Sequence, residues 1–97
     1  MMVVGSLLVS LRLAEGTSLK DKRRVVRSVL DSLRRRYRVS AAEVDDHDLL
    51  RTATLGIASV ANQAVQVESV LDACVRELEQ RAEWELYDLA RECAVIR

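Results

Sequence analysis

The chain has no phenylalanine and only three aromatic residues, Tyr37, Trp84 and Tyr87. Its three glycines, Gly5, Gly16 and Gly56, form no phosphate-cradling array, so a P-loop and a dinucleotide-binding fingerprint are both excluded. Cysteine is equally sparse. Cys74 and Cys93 stand in no Cys-x-x-Cys or Cys/His spacing and are expected as two reduced thiols, with neither a disulfide nor a zinc site. His47 is the single histidine, and no Ser or Cys is tied to it by a recognisable motif, so nucleophilic catalysis has no triad to build on and enzyme activity is not expected. There is no long hydrophobic run. The stretch Met1 to Leu11 is broken by Gly5, Ser6 and Ser10, lacks a basic leader and is far shorter than the ~20 apolar residues of a spanning helix. It reads as a strand of a cytoplasmic protein.

What is abundant is charge, and it is unevenly placed. Residues 20 to 38 hold nine of the fifteen Lys and Arg against only Asp21 and Asp31, a local excess of seven positive charges in a chain of zero formal net charge. The remainder therefore carries a matching acidic excess, and the molecule is a charge dipole whose basic segment attracts polyanions. With 97 residues, of which 49% are apolar, the chain is expected to form one domain with a single core and a modest stability margin, which oligomerisation would improve.

Six elements follow from the pattern. Residues 3 to 13 are β-rich and end at a turn supplied by Gly16. Ser18, with Asp21 three residues on, forms a capping-box arrangement that opens a helix running to about Tyr37, its apolar face set by Leu19, Val26, Val29, Leu30, Leu33 and Tyr37. Residues 38 to 45 and 52 to 61 read as strands joined by a polar connection, close enough to pair antiparallel. Asn62 is placed to cap a second helix whose buried stripe is Ala64, Val67, Val70, Leu71, Cys74, Val75 and Leu78, and a last strand is expected around Trp84 to Cys93. In that strand Tyr87 and Leu89 compete with Trp84 and Leu86 as the inward set.

The order βαββαβ in so short a chain predicts an α+β, ferredoxin-like sandwich: a four-stranded antiparallel sheet with both helices on one face and strands one and three in the centre. Alternation then turns Val3, Leu7, Val9, Leu11, Leu13, Leu55 and Ile57 toward the helices. It leaves Val4, Ser6, Leu8, Ser10, Arg12, Thr54, Gly56, Ala58 and Val60 on the open face. A sheet of this order that reads single-stranded RNA does so by stacking bases on aromatics of its central strands, and neither central strand here has one.

The run from Ser18 to Ala58, with its Ser-Leu-Lys-x-Lys-Arg start at Ser18 to Arg23 and its Val-Ser-x-Ala-Glu-Val strand at Val39 to Val44, resembles the YlxP-like family of small bacterial proteins, a domain of unknown function. Gly5 in the first strand agrees. The resemblance implies a ferredoxin-like fold and, in many bacteria, a gene that lies beside those of translation and ribosome-maturation factors, and it implies no catalytic residues. One departure is Leu50, where the family often carries a Trp, so an aromatic contact from that loop is not carried over.

Three surfaces remain as candidates. Lys20, Arg23, Arg24, Arg27, Arg34 and Arg35 fall within a third of the first helix's circumference, a stripe suited to phosphate contacts; the acidic second helix, with Glu68, Asp72, Glu77 and Glu79, is expected to neutralise part of it. The cluster Asp45, Asp46, His47 and Asp48 offers metal donors, but consecutive residues rarely converge on one ion and a hairpin connection needs such residues for turn formation; no metal and no cofactor is expected. Val4, Leu8, Ala58 and Val60 form a candidate subunit interface on the open face. The expected partner is structured RNA or a ribosomal component, bound by phosphate and shape recognition, with no membrane and with homodimerisation through the sheet. The alternative is a homo-oligomeric module that binds a protein or small-molecule ligand at its subunit interface.

Overall fold

Alternation of apolar and small polar residues makes the first segment a strand buried on one side, and the computed structural model, which describes residues 1–97, places β1 at Met2–Leu13. The remaining elements are α1 (Leu19–Tyr37), β2 (Ser40–Asp45), β3 (Thr52–Ala61), α2 (Ala64–Gln80) and β4 (Trp84–Ile96). The sheet order is β2-β3-β1-β4 with every pair antiparallel, and both helices lie on one side, giving the ferredoxin-like α+β arrangement. Neither helix is long and apolar enough to cross a membrane.

The core is the inward parity of the sheet under the two helices. Val3, Leu7, Val9, Leu11 and Leu13 from β1 and Ala53, Leu55 and Ile57 from β3 meet Val26, Val29, Leu30 and Leu33 of α1 and Val67, Leu71, Cys74 and Leu78 of α2. α2 sits so close to β1 that a Cβ at Gly5 would overlap Val67 Cγ1 and lie 2.8 Å from Leu71 Cδ1. Glycine here is a packing requirement, because only a missing side chain lets the helix descend onto the strand.

Several local boundaries differ from the sequence pattern. Arg38 does not open β2. It is the left-handed residue (φ 54°) that closes α1, its N–H donating to Arg34 O, and β2 begins at Ser40. At the other end of α1, Ser18 Oγ accepts from Asp21 N at 3.0 Å, but the Asp21 carboxylate turns to Arg24 at 3.2 Å, so only half of the capping box forms. α2 is capped at Gln63 rather than Asn62, without a side-chain hydrogen bond. β4 runs on to Ile96, beyond the expected end at Cys93.

A β-bulge resolves the two competing parities of β4. Trp84 and Leu86 pair with Leu13 and Leu11 and point inward; the register then shifts, leaving Tyr87 unpaired, and Leu89 rejoins the inward side opposite Val9. Trp84 is buried with its indole N–H donating to Leu78 O at 2.9 Å. Arg12, on the open face, lies 4.5 Å from the Tyr87 ring centroid.

Candidate nucleic-acid interface

α1 is amphipathic in an unusual way: its apolar arc is bordered by cations on every side, and the fold divides those cations into structural and free sets. Lys22 belongs to the first. From Lys22 it is about 40° round the helix to Val26 and about 20° to Val29, so the lysine points into the packed side, and its side chain is 1% exposed. Its ammonium donates to Asp46 O and Leu49 O, each at 2.6 Å, and more weakly to His47 O at 3.4 Å. Glu43 Oε2 lies 3.3 Å away as an ion-pair partner, outside hydrogen-bond geometry, and this buried oxygen accepts no hydrogen bond. The β2–β3 connection thus wraps its backbone carbonyls around a lysine, the role a bound cation plays in other loops. Asp46, at φ 62°, accepts from Thr54 Oγ1 at 2.7 Å and Asp45 Oδ1 accepts from Asp46 N, so these carboxylates organise the turn itself.

Arg36 and Glu77 are the second structural group. Glu77 is not part of a solvated acidic face that offsets the basic stripe: it is buried between the helices, accepting from Ser32 Oγ at 3.0 Å, Arg36 Nη1 at 2.9 Å and Tyr37 OH at 3.3 Å. The hydrogen bond from Arg36 to Glu77, followed by that with Tyr37, raises the guanidinium pKa above its ordinary value. Burial, with the Glu77 charge adding to it, pushes the neighbouring Cys74 thiol up to about 11.

The six stripe residues are all exposed, and they do not behave alike. Arg34 Nε and Nη2 donate to Ala41 O of the outer strand β2 at 3.0 and 2.6 Å, while Nη1 approaches Asp31 at 3.4 Å; its guanidinium is committed to the fold. Arg24 is shared with Asp21. The side chains of Lys20, Arg23, Arg27 and Arg35 make no ion pair or hydrogen bond. Lys20, Arg23, Arg24 and Arg27, with Asp21, line a shallow depression of about 530 Å³ that has no apolar residue in its wall. Arg35 stands about two turns beyond Arg27 and about 22 Å along the axis from the level of Lys20. Four adjacent cations, three of them Arg with forked donors, can take the oxygens of neighbouring phosphates.

Lys22 stands in the Ser-Leu-Lys-x-Lys-Arg run without being singled out by it, and Glu77 stands in no motif. The signal that finds Lys22 is helical phase, since it shares the arc of Val26 and Val29. Glu77 has a weaker signal of the same kind, at the margin of the stripe formed by Val67, Leu71, Cys74 and Leu78.

On the open sheet face Leu8 and Val60 are about half and nearly two-thirds exposed, at 50% and 62%, and Val4 and Ala58 are half-buried beside them. A hollow of about 480 Å³ crosses this face, with Ser6, Ala42, Gly56, Ala58 and Ala90 among its small lining residues.

Fold and surface together define a small ferredoxin-like domain with a solvated basic helix face. The chain belongs to the family described as "Protein of unknown function (DUF503)", whose model matches residues 4–91. No curated protein matches the chain.

Proposed function

We propose that this domain is a non-enzymatic binding protein of the YlxP-like type that holds structured RNA, in the translation apparatus, through the N-terminal half of α1. The observation that carries the reading is the depression walled by Lys20, Arg23, Arg24 and Arg27, whose cations have a single acid, Asp21, among them. Like charges at helical-neighbour spacing repel one another by a few tenths of a kcal/mol per pair, so Arg23 beside Arg27 and Lys20 beside Arg24, the latter shared with Asp21, are a small cost that an anionic partner removes. Recognition is of phosphates and helical shape, because the sheet offers no central aromatic on which a base could stack. The acidic excess elsewhere, including Glu68, Asp72 and Glu79 on α2 and Glu85, Asp88 and Glu92 on β4, orients the domain by repelling RNA from its other surfaces. A cytoplasmic setting accords with this partner.

The test is a titration of hairpin RNA at low salt with the wild type and with Arg23→Glu/Arg27→Glu. Wild-type binding, and its loss in a variant with an unchanged melting temperature, is the expected result. Equal affinity of the two proteins, or no binding by the wild type, contradicts the proposal.

A further inference from the structure

We propose that a second copy of this chain covers the open sheet face, and this rests on observations independent of the basic helix. β1 places Leu8 between Gly56 of β3 and Ala90 of β4, its two cross-strand neighbours. Across Gly56 lies Ala42 of β2, and Val44 leans over the glycine, so that a Cβ there would stand 3.0 Å from Val44 Cγ1. The centre of the face is therefore a hollow floored by Gly56, Ala42, Ala58 and Ala90, from which Leu8 rises half exposed. Knob and hollow lie side by side at the middle of one surface. A two-fold relation brings the centre of a face onto itself, so each Leu8 enters the hollow of the other copy.

The size and charge of the face fit the same occupant. Four strands about 4.8 Å apart and about ten residues of 3.3 Å long make roughly 600 Å² per copy, hence roughly 1,200 Å² for the pair, the lower end of what stable specific interfaces bury. The flanks carry both signs. Arg12 stands at one end and Arg38 borders a hollow with Val4 and Val60, while Glu85, Asp88 and Glu92 follow β4 beside Arg12, Ser10 and Ser6. A face made for a purely acidic or basic partner would show one sign; a face that carries both suits association with itself. Both helices then lie on the outer surfaces of the dimer and both α1 clusters stay open.

Sedimentation of the native chain from 1 to 100 µM, together with two variants, tests this. The wild type is expected as a dimer with a melting temperature that rises with concentration, and Leu8→Arg as a monomer whose melting temperature does not. Ala58→Cys in a Cys93→Ser background places a thiol near the two-fold and is expected to give a covalent dimer on mild oxidation, a readout that stands even if Leu8→Arg fails to fold. The native Cys93 lies on β4 opposite Gly5, on the helix side of the sheet, and is not expected to cross-link. A wild-type monomer throughout the range overturns the proposal. So does a dimer that cross-links through Cys93 and not through residue 58, which would indicate pairing along the β4 edge.

Discussion

Lys22 is the residue on which the geometry of the β2–β3 connection depends. Its Nζ is the common partner of three main-chain carbonyls and Glu43. Replacing it with Met leaves those acceptors without a donor and the Glu43 carboxylate without its counter-charge, and Lys22→Met is expected to cost about 3–5 kcal/mol in chemical denaturation, as removal of one partner from a buried ion pair does. Exposed neighbours on the same helix behave otherwise: Lys20→Met is expected to change stability by less than about 0.5 kcal/mol. The two thiols differ for a related reason. Cys93 is exposed and Cys74 is buried with its pKa raised to about 11, so at pH 8 Cys93 should react with a thiol reagent at once and Cys74 only on unfolding. A raised folded-state pKa means the folded protein holds this proton more tightly than the unfolded chain. The associated stability is complete below about pH 9 and is lost as pH climbs through about 11. Alkaline melts of the wild type should show that decline above pH 9. Charge and composition alone count Lys22 in the basic segment 20–38; its burial follows from helical phase.

At the scale of elements, the sequence pattern is enough to order the six segments, because each strand alternates and each helix repeats its apolar arc. What it leaves open is set by contacts between elements. The parity of β4 depends on a bulge opposite Ser10 and Leu11, and neither side of the strand is polar enough to declare where that bulge falls. The close seat of α2 on β1 is written only as Gly5, and Gly5→Ala is expected to lower the denaturation midpoint by overpacking worth about 1–3 kcal/mol, without a change in slope. The six-residue stripe of α1 is legible as a face, yet its division is not, since Arg34 is drawn aside by a carbonyl from β2, 7 residues along the chain. Arg34→Ala should therefore lower stability by about 0.5–1.5 kcal/mol through the lost hydrogen bonds, whereas Arg23→Ala should leave stability within about 0.5 kcal/mol and weaken RNA binding. Parallel denaturation and binding measurements on the two variants check this inversion.

On the scale of the whole molecule, charge separation is the dominant feature: α1 is basic, while α2 and β4 are mainly acidic on their exposed sides. The fold buries Lys22, ties the exposed Arg34 and Arg36 to Ala41 O and Glu77, and leaves Lys20, Arg23, Arg24 and Arg27 together at one site. Pairing of two copies through their sheets would set two such sites on opposite outer surfaces. The most direct measurement of the central claim is the salt dependence of hairpin-RNA affinity. If the four cations of one cluster neutralise four phosphates, log affinity should fall linearly with log salt with a slope of about −3 to −4 per site. In Arg23→Glu/Arg27→Glu that slope should collapse toward zero along with the affinity. Binding that is insensitive to salt, or a variant that keeps the wild-type slope, would contradict the assignment of α1 as the RNA-binding surface.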